Sequence, residues 1–184
     1  MNFRDGVCIL VIALAGGVAS TTAVADDMFL KYSDGIVGDS TDPQHLNEVV
    51  VLSFSLGVTA DSSWTKGGGA SVGKPNPGEL QYTAAMNRSV PSIVKFIASG
   101  RPALSATLTV RDATFGKTPF EYAKYTFTGI YFTSVGEGLN GAGRALNAVS
   151  AVYKTVQVQQ FTAGNPVAVS CVIWDIPGQS ALDC

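Results

Sequence analysis

The chain has 184 residues, enough for one domain with its own core. Charged residues make up 14% of it and the formal net charge is -2. That balance excludes the clustered lysine and arginine of a nucleic-acid binder and the charge excess of a disordered tail.

The N-terminus reads as a targeting segment. A short stretch with Arg4 precedes an uncharged apolar run, Val7 to Ser20, and small residues follow as far as Ala23-Val24-Ala25. That ending is the A-x-A pattern a signal peptidase accepts, so residues 1–25 are expected to be a signal peptide, cut between Ala25 and Asp26. Asp5 offsets Arg4 in a region that is usually basic. The alternative is a retained transmembrane helix, for which the run is short of the roughly 20 residues required. Residues 26–184 are then the mature domain, with no stable membrane anchor.

Along that domain strands are expected at Met28–Ser33 and at Glu48–Thr59, with a weaker one at Leu80–Met86. A glycine-rich loop, Trp64 to Glu79, separates the last two. One helix is predicted, about Ser89 to Ser99. Ser89 is its cap, Pro91 lies in the first turn and Gly100 is the left-handed stop. Val90, Ile93, Val94 and Ile97 form its apolar stripe. In "LSATLTVR", Leu104, Ala106, Leu108 and Val110 alternate with Ser105, Thr107, Thr109 and Arg111, one face buried and one wet. Three more strand-like stretches complete the chain: "EYAKYTFTGIYFTSV", "LNAVSAVYKTVQVQQF" and "VAVSCVIWDI". Closely spaced strands, frequent glycine and a single helix predict a mostly-β fold, a closed or nearly closed antiparallel β-barrel.

Catalytic and ligand-binding patterns are scarce, and the chain reads as a non-enzyme without a cofactor. His45 is the only histidine, no G-x-S-x-G elbow accompanies it, and beside Glu48 it reads as a structural hydrogen-bonding residue. Gly68, Gly73 and Lys74 nearly spell a phosphate-binding loop, but Pro75 replaces the magnesium-holding hydroxyl and the following prolines oppose a helix. Asp34, Asp39 and Asp42 match no EF-hand spacing and read as turn residues. There is no Cys/His cluster with zinc spacing.

In order, "MFLKYSDGIVGDSTDPQH", "NEVVVLSFSLGV", "GGGASVGK", "NRSVPSIVKFIASGRPALSATLTVRDA", "KTVQVQQF" and "VSCVIWDI" resemble the haemolysin-coregulated protein (Hcp) family, the tube-forming subunit of type VI secretion systems. The resemblance spans Met28 to Ile176. It implies a small β-barrel with one helix and no catalysis. It also implies six-subunit rings stacked into a tube, with a sheath and a spike as partners and small effector proteins in the lumen. By the same resemblance the stretch containing Trp64, Gly67, Gly68, Gly69, Gly73 and Lys74 is the extended loop that reaches the next ring.

Tube subunits of that family normally carry no cleavable signal. Either Met28 is the true start and the protein is cytoplasmic before firing, or this is an exported relative, periplasmic or secreted. Such a relative either builds tubes or is a binding or effector module acting outside the machine. The C-terminus bears on this choice. If Pro177-Gly178 is a two-residue hairpin turn of type II, Cys171 lies opposite Cys184 at a position where Cα atoms are about 4.5 Å apart. An exported chain then pairs them as a disulfide. Two free thiols, or a bridge between subunits, are the alternatives.

Overall fold

The computed structural model describes residues 26–65, 68–113 and 119–184; the expected signal peptide and Gly67 lie outside them. The described chain runs β1 (Asp27–Tyr32), β2 (Val49–Ser55), β3 (Val58–Thr65), β4 (Gly68–Pro77), β5 (Leu80–Ala85), α1 (Val90–Ser99), β6 (Ala103–Asp112), β7 (Phe120–Leu139), β8 (Ala145–Val152), β9 (Thr155–Gln160), β10 (Ser170–Asp175) and β11 (Ser180–Asp183). Six strands close a barrel in the order β7-β6-β1-β2-β5-β8, sealed by pairing of β7 with β8, and every pairing is antiparallel. This is the expected mostly-β barrel with one helix.

Alternation fills the barrel. Leu30, Val49, Leu80, Leu108, Phe127 and Val149 are each 2% exposed or less, one from each strand. Inside the barrel the Tyr32 and Tyr82 hydroxyls share a hydrogen bond at 3.0 Å. Helix α1 packs on this core through Val90 and Ile93, with Phe96 and Ile97 partly buried behind them and Phe96 tilted against Phe132. Val94 is exposed, so the buried stripe uses Phe96 in its place. Gly100 ends the helix at φ 62°. Ser89 makes no side-chain cap bond; instead Asn87 Oδ1 accepts the Ser89 N–H at 3.0 Å.

Strand β7 is long enough to serve two sheets. Ala123–Thr128 pair with β9, and Tyr131–Leu139 pair with β8. Gly129 sits at the change of partner with φ +60°, a conformation that excludes most side chains. Beyond β9, strands β10 and β11 extend the sheet away from the barrel.

Three local expectations are corrected. Glu48–Thr59 is two strands that join different sheets, broken at Leu56-Gly57. In β6 Leu104 is exposed, whereas Thr109 and Arg111 are buried. Chain outside the barrel covers that part of the outer face, which alternation cannot foresee. The final hairpin has the expected register, Ile173 opposite Leu182 and Asp175 opposite Ser180. Its loop is longer than two residues, however, with Ile176–Gln179 between the strands. Positive φ falls on Gln179 at 50° and not on Gly178, so the turn is not type II.

Candidate assembly site

Strands β3 and β4 form a sheet of their own. The expected glycine-rich loop is therefore a β-ribbon: Val58 pairs with Pro77, Ser62 with Val72, Trp64 with Ala70 and Thr65 with Gly68. Val58, Thr59, Trp64 and Thr65 favour extended backbone, which overrides the glycines opposite. Pro75 and Pro77 lack N–H donors, and the outer side of β4 has no strand to bond. Gly69, Gly73 and Lys74 also lie on β4, so the chain that imitates a phosphate loop is extended and opens no helix. Val58 and Val72 are 56% and 70% exposed. At the base, Gly78 N–H donates to Gly57 carbonyl at 2.7 Å. A two-stranded ribbon with both outer edges unpaired and exposed apolar side chains has marginal stability alone.

An apolar cleft of about 240 Å³ lies where the ribbon leaves the barrel, lined by Leu56, Val58, Tyr153, Val158, Val172 and Trp174 among others. The extension β9–β11 thus stands beside the ribbon base. At its far end Cys171 and Cys184 form a disulfide, with Cα atoms 5.4 Å apart. The Gln157 amide nitrogen lies 3.5 and 3.3 Å from the two sulfurs.

A charged cluster covers the outside of β1, β6 and β7. The Arg111 guanidinium, buried, bonds Asp27 and Asp42, each at 2.8 Å, and lies 4.8 Å from the Phe29 ring centre. His45 stacks on Phe29 at 4.1 Å. Its Nδ1 is 2.9 Å from Glu48, and its Nε2 is 3.2 Å from Glu121, which also binds Lys124. The hydrogen bond expected between His45 and Glu48 is present, and the buried Nε2, although near Glu121, makes no aligned hydrogen bond. Asp34, Asp39 and Asp42 separate: Asp34 accepts the Leu104 N–H, Asp39 pairs with Arg88, and Asp42 with Arg111. Sequence reading placed Arg111 on a wet face and missed Asp27, Glu121 and Tyr122. The signal available was a lone arginine at a strand end with two acidic segments elsewhere in the chain, which no local pattern connects.

These contacts set the pH response. The hydrogen bond from Arg111 holds the Asp42 carboxyl below its ordinary value, and the same pair pushes the guanidinium up. Burial pushes Tyr82 up to about 12 and Tyr32 well above its ordinary value. A hydrogen bond to Asp26 pushes Tyr122 up to about 12. A lowered carboxyl stabilises the fold above its unfolded pKa and loses that contribution as pH falls, so stability is expected to drop below about pH 4. The raised tyrosines bind their protons more tightly when folded; their contribution is complete below about pH 10 and declines as pH rises towards 12. Denaturant melts across the pH range, with tyrosinate absorbance, check both limbs; constant stability from about pH 9 to about pH 12 would contradict the second.

Comparison with known proteins fits this geometry. Residues 29–160 match the family model described as "Type VI secretion system effector, Hcp". Protein hcp1 of Pseudomonas aeruginosa is 34% identical over 136 residues, 73% of this chain and 83% of that protein. The crystal structure of Hcp1 from Salmonella typhimurium superposes with a TM-score of 0.71 at 29% identity, covering 86% of this chain and 100% of the other. A type VI secretion system effector from Yersinia pestis shares the fold at TM-score 0.64 and 21% identity, covering 82% and 100%. A barrel sealed by β7 and β8, one helix, a separate ribbon and sequence identity along most of the domain place this chain in the Hcp family of type VI secretion proteins.

Proposed function

We propose that the chain is a structural ring and tube subunit of a type VI secretion machine. Six copies close head to tail, rings stack, and the lumen carries small effector proteins under the action of sheath and spike. Family membership supports the role, and no catalytic step is part of it. The observation that carries the assembly is the ribbon β3–β4. Among the described residues neither outer edge of the ribbon pairs with another strand, and Val58 and Val72 stay exposed, a surface that a neighbouring molecule can cover. Closure of a head-to-tail contact gives the ring, and a second, open-ended contact gives the stack.

Electron microscopy of the purified mature protein tests this. Six-fold rings that stack are expected, and replacing Val58 and Val72 together by Asp is expected to leave rings that no longer stack. A strict monomer at high concentration would overturn the proposal. A second reading, an exported Hcp-like binding or effector module outside the machine, is favoured by two features together. One is the Ala23-Val24-Ala25 ending; the other is the Cys171–Cys184 disulfide, which suits an oxidising compartment. That reading expects the folded monomer the first excludes.

A further inference from the structure

Strand β11 is fastened at both ends and has little to hold it between them. At the turn, the Ile176 N–H donates to the Lys154 carbonyl at 3.0 Å and the Gly178 N–H to Asp175 Oδ1 at 3.3 Å. At the opposite end stands the Cys171–Cys184 disulfide. Between these points β11 pairs with β10 alone, as the outermost strand of its sheet. All four of its residues are exposed, so it brings no side chain to the core.

A cross-link that serves a core joins buried elements. This one joins an exposed strand to a sheet that is complete without it. The barrel is sealed by β7 and β8, and β10 is already held by β9. Cys184 is exposed and Cys171 half-buried, so a thiol in solution reaches the bond. The Gln157 amide projects from β9 beside both sulfurs and donates to them. A donor in that place stabilises a thiolate as it forms, and a thiolate is the leaving group of thiol–disulfide exchange.

We propose that the Cys171–Cys184 bond is a redox latch on β11, opened by small-molecule thiols of the glutathione class, with Gln157 as its positioning residue. A thiolate attacks the exposed Cys184 Sγ. The bond between the cysteines breaks, its electron pair goes to Cys171 Sγ beside the Gln157 amide, and a mixed disulfide forms on Cys184. A second thiolate attacks the outer sulfur of that mixed disulfide and releases the Cys184 thiolate. Two thiols are oxidised to one disulfide, and the two reduced cysteines take up their protons. With the latch open, β11 keeps only its turn and a ladder of four residue pairs, and β10 becomes the outer edge of the sheet. Val172 and Trp174 of β10 line the apolar cleft, so redox state decides whether that wall ends in a free edge. The latch is closed in an oxidising compartment and open in a reducing one, whichever of the two functional readings holds.

Hydrogen exchange on the full oxidised chain, before and after reduced glutathione in native buffer, tests this. Both thiols are expected to become titratable without denaturant. Protection of the β11 amides is expected to fall about 100-fold, the loss that opening a loop of this length predicts, while β6 and β7 keep theirs. Cys171→Ser together with Cys184→Ser is expected to show the same open strand with no thiol added, and an unchanged melting temperature for the barrel. Thiols released only by denaturant, or a β11 that stays protected in the reduced chain and in the variant, overturn the latch. Loss of protection in the barrel along with β11 also overturns it, since the bond is then a staple of the core. Gln157→Leu is expected to slow reduction about 10-fold, and an unchanged rate overturns the role of that residue.

Discussion

Phe127→Ala is expected to lower the unfolding free energy by about 3–5 kcal/mol. Phe127 is fully buried at the centre of β7. Its neighbour across the strand pair is Ala106, which is too small to fill the space left behind. Its ring meets Tyr153 edge-on at 5.0 Å, so the substitution removes an aromatic contact as well as buried area. Relaxation is restricted because this part of β7 is hydrogen-bonded on both sides, to β6 and to β9. Val94→Ala, on the exposed face of α1, is the comparison and is expected to cost less than about 1 kcal/mol. Guanidinium melts of both variants at neutral pH make the measurement. A loss below about 1 kcal/mol for Phe127→Ala would show that the barrel interior is far looser than its close packing indicates.

Gly38→Ala is the second large effect, expected to cost about 3 kcal/mol or more. A methyl group at Gly38 would lie 2.5 Å from the Val49 Cα and closer still to the Glu48 carbonyl oxygen. These are backbone atoms at the start of β2 and cannot rotate aside. Gly38 N–H also donates to the Asn47 carbonyl at 2.8 Å, and Ser40 N–H to the Glu48 carbonyl at 3.1 Å, so the two segments are held together. Forcing them apart moves the chain that carries Asp42 and His45, and with it the partners of Arg111 and Phe29. The variant is therefore expected to become more acid-sensitive as well as less stable. Gly35→Ala separates the causes. A methyl there meets nothing within 4 Å but inherits φ +73°, so it is expected to cost only about 1 kcal/mol and to leave the acid limb unchanged. Equal losses at the two glycines would refute the close-approach explanation.

Much of the architecture was legible because period and punctuation agree. The helix between Ser89 and Gly100 has a proline at its start and a left-handed glycine at its end, and its limits were read to within a residue. The pairing of β10 with β11 followed from one turn, since register propagates from it, even though the loop geometry differs. The ribbon β3–β4 was not legible as strands. Gly68, Gly69, Gly73, Pro75 and Pro77 are turn residues by composition, and they are tolerated in β4 because no third strand needs its donors. The candidate contact residues were named from the family pattern and not from their chemistry. The Arg111 cluster was invisible for another reason. Asp27, Asp42, His45 and Glu121 come from three separate stretches, and only the closed barrel brings them to one face.

Strand β7 gives the molecule a mechanical property. One continuous backbone belongs to the sealed barrel and to the outer extension, with Gly129 at the change of partner and a register shift between Phe132 and Ser134. A load on the extension reaches the barrel through covalent bonds along β7, with the hydrogen-bonded ladders on either side loaded in parallel and not one after another. A push on the extension is therefore spread over the ladders on both sides of β7 and not carried by one of them.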